Sequence, residues 1–280
     1  GTGRKVSAMH AASREALAQV ESYLDNLVQS SDNTVAVSAQ TGTELFDVVD
    51  ALDSDRGLRV AVAEAAAEPE QRTGLIQAVF GGKVSDSTLS VLREAAHRTW
   101  STPREFRTGL VSLGRRALLR GAESQGQLGQ VEDELFRLSR LLDREGELTQ
   151  LLSDKTTDAQ RKRGLLASVL YGKVSMFTEA LALQVIGRPE HNPIDDIANL
   201  VDRAAALQGR SVAQVVTAEE LNEGQQAALA DKLGRIYGRA MSIHSEVDPS
   251  LLGGMTIRVE DEIIDGSLAG KLTRLRANLA

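Results

Sequence analysis

One stretch of this chain occurs twice. Residues 74–85 and residues 164–175 align without a gap, and seven of their twelve positions are identical. The same 90-residue offset pairs Leu45-Phe46 with Leu135-Phe136, so one register holds over about 40 positions. A fixed period of this kind indicates a repeated supersecondary unit. We therefore expect two copies of one module.

Each copy has the pattern of a small antiparallel helical bundle. In the second copy an apolar stripe recurs at helical spacing at Val131, Leu135, Leu138 and Leu142. The polar residues beside this stripe are predicted to face solvent: Glu132, Glu134, Arg137 and Arg144. Gly82 and Gly172 are predicted to end the helix that precedes each Gly-Lys pair. Aromatic residues make up only 3% of the chain, so the bundle cores must consist of Leu, Val and Ala.

A single long helix is expected to bridge the two copies. Residues 102–105 (Thr-Pro-Arg-Glu) combine a capping box with proline at the first helical position. An apolar stripe then continues from Phe106 toward Leu118. Three glycines argue against continuity, because each weakens a helix by up to about 1 kcal/mol relative to alanine. They are Gly109, Gly114 and Gly121.

The last quarter of the chain has a mixed strand and helix pattern. Residues 211–216 have the composition of a strand, and residues 217–220 (Thr-Ala-Glu-Glu) are predicted to cap a helix that ends near Tyr237. Residues 255–259 alternate apolar and polar side chains, as a half-buried strand does, and Ile263-Ile264 predicts a short further strand. Ser267 is predicted to cap a final helix with a leucine stripe at Leu268, Leu272, Leu275 and Leu279.

The predicted fold is therefore mainly α. It consists of two tandem antiparallel helical bundles followed by a small C-terminal α/β domain of order β-α-β-β-α. The predicted boundaries are 1–108, 109–208 and 209–280, which are ordinary sizes for such domains.

Several functional classes are disfavoured by the sequence. The net charge of −7 disfavours a nucleic-acid partner, which requires a clustered basic face. The Gly-Lys pairs do not form a phosphate loop, because Gln77 and Ala167 stand where its first glycine must be. The four histidines are isolated, there is no cysteine, and no nucleophile–base constellation is present. We expect no catalytic residue, metal or cofactor, and no membrane-spanning segment.

The C-terminal region resembles a known family. The residues that carry the likeness are 247–254 (Val-Asp-Pro-Ser-Leu-Leu-Gly-Gly), 264–267 (Ile-Asp-Gly-Ser) and 270–272 (Gly-Lys-Leu). They resemble the C-terminal signature of the delta subunit of bacterial F-type ATP synthases, whose mitochondrial counterpart is the oligomycin-sensitivity-conferring protein. The likeness is strongest over residues 211–280. An ordinary delta subunit has one helical bundle, so the second copy is a departure.

Duplication of this kind resembles the actinobacterial form, in which the stalk subunit b is fused ahead of delta. By this resemblance, residues 1–12 would be the end of a b-type stalk helix. The chain begins with Gly rather than Met, which agrees with a processed or recombinant piece of something longer.

The resemblance implies a non-catalytic stator component. It would link the catalytic alpha/beta head of the synthase to the membrane-anchored b stalk, at the cytoplasmic face of the cell membrane. The alternative is a generic helical-repeat scaffold unrelated to ATP synthesis. That alternative explains the duplication but leaves the signature between Gly253 and Ser267 unexplained.

The family also implies where partners bind. Its bundle seats the N-terminal helix of an alpha subunit in a groove between the first and fifth helices, and each copy here is expected to engage one. The candidate residues are Arg14, Leu17, Leu89 and Leu92 in the first copy, and Arg115, Leu118, Leu181 and Val185 in the second. The b stalk is expected at Gly253, Gly254, Asp265, Gly266 and Ser267.

Three features have two interpretations each. Arg115, Arg116 and Arg120 form either a solvated helix face or a contact with acidic residues of another helix. Trp100 is expected to pack at the junction of the copies, although a lone tryptophan can anchor an interface. Residues 265–267 form either a tight turn with a helix cap or part of the grip on the b stalk.

Overall fold

The computed structural model describes residues 9–265. The helices up to the bridge are α1 (Ala11–Gln29), α2 (Thr34–Ser54), α3 (Arg56–Ala61), α4 (Pro69–Phe80), α5 (Asp86–His97) and α6 (Pro103–Ser124). Those that follow are α7 (Leu128–Arg144), α8 (Gly146–Ser153), α9 (Ala159–Leu170), α10 (Met176–Gly187), α11 (Pro193–Leu207) and α12 (Glu223–Tyr237). The strands are β1 (Arg210–Thr217), β2 (Ala240–Val247), β3 (Met255–Val259) and β4 (Glu262–Asp265). The predicted mainly α fold class is confirmed.

The duplication is visible in the helix boundaries. α9 and α10 begin and end 90 residues after α4 and α5. Ser85 and Ser175 cap α5 and α10 in the same way, each accepting a hydrogen bond from the amide three residues on. The predicted helix stops are confirmed, because Gly82 and Gly172 adopt φ values of +77° and +69° just after α4 and α9.

The bridging helix is continuous. α6 spans 22 residues, and its cap Thr102 accepts a hydrogen bond from the Glu105 amide at 3.1 Å. The three glycines are places where an aromatic ring packs directly on the helix backbone. A Cβ at Gly109 would lie 2.6 Å from the Trp100 ring, and one at Gly121 would lie 2.7 Å from the Phe177 ring. The glycines therefore weaken the isolated helix but allow its close packing.

The described residues form two compact units. A helical unit contains residues 9–131 and 159–188, and a mixed unit contains residues 132–158 and 189–265. In the helical unit α6 packs along α2 and α1, and its core is built from fully buried aliphatic and aromatic side chains such as Leu45, Leu110 and Trp100. The division at residues 108 and 208 stays a prediction.

The mixed unit contains a four-stranded sheet in the order β2-β1-β3-β4. β1 pairs parallel with β2 and antiparallel with β3, and β3 pairs antiparallel with β4. α12 connects β1 to β2 and packs on β2. Apolar side chains of both layers form one core: Ala213, Val215, Leu233, Ile236, Met241, Ile257, Val259 and Ile264.

Three predictions for the mixed unit were wrong. β2 was missed, because its buried residues include the polar Ser242 and His244, which hide the apolar alternation. The helix cap was misplaced, because Thr217 ends β1 while Asn222 and Gln225 form the capping box of α12. Glu132 was predicted to face solvent but is buried. The predicted final helix, with its cap Ser267, lies outside the described residues.

Candidate partner-binding surfaces

The groove helices of the first copy, α1 and α5, pack side by side. Arg14 is exposed and donates from Nη1 to the Met9 carbonyl at 3.0 Å. Leu17 and Leu89 are half-buried, whereas Leu92 is fully buried. Three of the four predicted residues of this copy are therefore at least partly exposed and accessible to a partner.

The corresponding helices of the second copy, α6 and α10, are also in contact. Their four predicted residues are all buried: Arg115, Leu118, Leu181 and Val185. Arg115 donates from Nε to Oε1 of Gln184 at 3.2 Å, while Nε2 of that glutamine is buried and has no hydrogen-bond partner among the described residues. These four are not the 90-residue counterparts of the first set: the counterpart of Leu89 is Glu179, which is half-buried like Leu89.

The basic stretch on α6 contacts acidic residues of α1. Arg116 bonds Asp25 at 2.7 Å and Glu21 at 2.8 Å, and Arg120 bonds Asp25 at 3.0 Å. Burial by itself would raise the pKa of Asp25, but hydrogen bonds from the two arginines outweigh it and lower that pKa. The solvated-face interpretation was wrong, since this acidic helix lies in the same chain.

Trp100 is buried, as predicted. Its Nε1 donates to the Ala95 carbonyl at 2.8 Å, and its ring meets Phe106 edge to face at a centroid distance of 5.7 Å. Because it is 1% exposed, this residue acts in the core of the helical unit.

The residues predicted to meet the b stalk lie at one loop and one strand end. Gly253 and Gly254 belong to the loop between β2 and β3, where Gly253 adopts φ +75°. Asp248 shapes this loop by accepting hydrogen bonds from the amide and hydroxyl of Ser250. The neighbouring Leu252 is fully exposed, which the sequence patterns did not indicate. Asp265 ends β4, and Gly266 and Ser267 lie outside the described residues.

The described residues also bear on metal binding and on membrane insertion. Within residues 9–265, no group of three or more His, Cys, Asp or Glu side chains is arranged to hold a metal ion. Over the same part of the chain, no helix has both the length and the apolar character needed to cross a bilayer.

Comparison with known proteins places this chain among ATP synthase subunits. The family model for the ATP synthase delta (OSCP) subunit matches residues 116–279. A protein named ATP synthase subunit delta from Corynebacterium efficiens is 74% identical over 275 residues, covering 98% of this chain and 100% of the relative. Its namesake from Corynebacterium diphtheriae is 69% identical over 273 residues, covering 97% and 100%.

One solved ATP synthase structure contains a chain of low similarity to this one. A chain of the Toxoplasma gondii mitochondrial ATP synthase hexamer is 19% identical, with coverage of 59% of this chain and 94% of that chain. Its TM-score is 0.35.

Proposed function

Because this chain belongs to the ATP synthase delta (OSCP) subunit family, we propose that it is a stator component of an F-type ATP synthase. It links the catalytic alpha/beta head to the membrane-anchored b stalk, so that proton-driven rotation is coupled to ATP synthesis. The observation that carries the proposal is the 74% identity over nearly the whole chain to a protein named ATP synthase subunit delta. Family membership leaves the generic-scaffold alternative without support.

The partner at the helical unit is the N-terminal helix of an alpha subunit. A stator joint must resist torque, which favours broad buried contact and slow dissociation over one strong bond. Leu17 on α1 and Leu89 on α5 are half-buried apolar side chains on two helices that pack together. Such a pair suits the binding of a partner helix in the groove between them. The exposed Arg14 beside it can pair with a carboxylate of the incoming helix.

The partner at the mixed unit is the b stalk. The loop with Gly253 and Gly254 carries the fully exposed Leu252, and Val247 at the end of β2 is also exposed. A large apolar side chain that a structured loop exposes to solvent is typical of a residue that binds a partner protein. As part of the synthase, the protein lies peripherally at the cytoplasmic face of the cell membrane.

The test is to remove this subunit from synthase-containing membranes and to add back the purified chain. Proton-driven ATP synthesis is expected to disappear and then return, while ATP hydrolysis by the head persists throughout because the subunit is non-catalytic. Synthesis that survives the verified loss of the subunit would contradict the stator role.

A further inference from the structure

The turn between α9 and α10 repeats the turn between α4 and α5. Both have the sequence Gly-Lys-Val-Ser, at residues 82–85 and 172–175. In each turn the lysine amide donates to the carbonyl of the last residue of the preceding helix at 2.9 Å, and the glycine has a positive φ. The two turns therefore have the same backbone hydrogen bond, and they differ in the side chains at either end.

The residues that flank the two turns have different chemistry. Gly81 and Asp86 flank the first turn, whereas Tyr171 and Met176 flank the second. Tyr171 is 84% exposed and Met176 is 60% exposed. The second turn therefore presents two large apolar side chains to solvent where the first has a glycine and a carboxylate.

This apolar pair is unusual within the helical unit. Among the described residues of that unit, the one other exposed large apolar side chain is Val60, at 37%. Tyrosine and methionine are both enriched at protein interfaces, and the flexible methionine side chain adapts its shape to a partner. Two such side chains on one short turn indicate a surface that binds another protein.

The second turn also carries an unpaired cation. Lys173 is exposed and forms no ion pair with any residue between 9 and 265. Residues 171–178 contain no Asp or Glu, because Met176 stands where the first turn has Asp86. The surface therefore combines apolar area with one positive charge, which is complementary to a carboxylate beside an apolar side chain.

We propose that this turn, residues 171–176, makes a second contact with an alpha subunit, at a surface where a carboxylate lies beside an apolar side chain. This inference rests on the proposed function and extends it, because the turn lies at the end of α10 rather than along the helix groove. A single bound helix lets the subunit pivot about that helix. A second contact away from the groove fixes the orientation of the subunit, and the linkage of the two contacts slows dissociation.

The test is to measure how fast the full chain dissociates from immobilised catalytic heads that lack this subunit. Exchanging the pair for the residues of the first copy, Tyr171→Gly with Met176→Asp, should speed dissociation at least about tenfold, since two apolar contacts are lost. This variant should fold, because Gly81 and Asp86 flank the equivalent turn. Val60→Ser removes the other exposed apolar side chain and, as the control, should leave the rate unchanged.

The charge of Lys173 has its own readout. Lys173→Gln should speed dissociation about threefold at low salt and flatten the salt dependence of the rate, because a charge pair is lost. Lys83→Gln is the matched control, an exposed lysine at the equivalent position of the first turn, and should change neither quantity. Equal effects of the two variants would overturn the pairing of Lys173 with a carboxylate of the partner.

Cross-linking identifies the subunit in contact. The chain has no cysteine, so one can be introduced at a chosen place. Ser168→Cys, at an exposed position one turn before Tyr171, should cross-link to an alpha subunit when labelled with a short photoreactive reagent. Ala78→Cys, its exposed counterpart in the first copy, should give a much lower yield. Cross-links from Ser168→Cys to the beta subunit or the b stalk alone would overturn the assignment to alpha.

The outcomes separate this inference from the proposed function. Failure of the unaltered chain to bind the heads would contradict the stator role, and this inference with it. Binding in which the Tyr171→Gly, Met176→Asp variant dissociates as slowly as the unaltered chain would overturn this inference alone.

Discussion

Glu132 on α7 and His244 on β2 are buried against each other, with Oε2 of the glutamate bonded to Nε2 of the imidazole. The other ring nitrogen of His244 lies 3.4 Å from Oδ1 of Asp133, and the ring stacks on Phe136 at 4.7 Å. Gln208 donates to the remaining oxygen of Glu132 at 3.3 Å. A cluster of polar contacts around His244 therefore joins helix α7 to the sheet of the mixed unit.

Replacing Glu132 with alanine should destabilise the protein by about 3 kcal/mol, because His244 would stay buried without its principal partner. Urea unfolding of the full chain followed by circular dichroism measures the loss. Arg137→Ala, at an exposed position of the same helix, should change the unfolding free energy by less than about 0.5 kcal/mol. Similar losses for the two variants would show that the buried pair contributes little.

Gly121→Ala should destabilise the protein by about 1–3 kcal/mol, the usual cost of overpacking, although alanine favours helices. The added methyl group would lie 2.7 Å from the Phe177 ring, which would have to move. Gly164→Ala on α9 is the control, since within residues 9–265 no atom outside the backbone of its own helix and its chain neighbours lies within 4 Å of the added methyl group. Thermal unfolding should show a lower melting temperature for the first variant and an equal or higher one for the second.

The contact of Asp25 with Arg116 and Arg120 should make stability depend on acid pH. The pKa of Asp25 is lower in the folded chain than its ordinary value, so its contribution is complete above about pH 4 and is lost as the pH falls through the folded pKa. The unfolding free energies of the unaltered chain and of Asp25→Asn should therefore differ at pH 7 and converge toward pH 2. A difference that stays constant with pH would contradict this assignment.

The helical fold could be predicted because its evidence is local. The duplicated stretch, the cap before Pro103, and the glycines after α4 and α9 act over one or two turns. Glu132 could not be placed, because helical spacing marks a glutamate as solvent-facing and its partner is 112 residues away. β2 was missed for a related reason, since His244 is buried against Glu132 and Phe136 of α7, which are distant in sequence.

The candidate sites could likewise be predicted only as far as the evidence for them is local. The family resemblance implied that α1 neighbours α5 and that α6 neighbours α10, and each pair is in contact in the structure. It could not show that Arg115 and Leu118 are buried, because helical periodicity does not reveal which face meets α2. Exposure of Leu252 also depends on the shape of a loop, which no periodic pattern specifies.

Leu252→Glu should weaken binding of a b-stalk fragment by at least about tenfold, because a charge would enter an apolar contact that excludes water. Folding should be unaffected, since this side chain is fully exposed in the chain alone. Leu151→Glu on α8 is the matched control, an exposed leucine of the mixed unit outside the loop between β2 and β3. Binding is measured by sedimentation of the chain with the fragment. Equal binding by both variants would show that the b stalk does not contact this loop. Weaker binding by Leu252→Glu alone would show that the stalk binds beside Gly253 and Gly254.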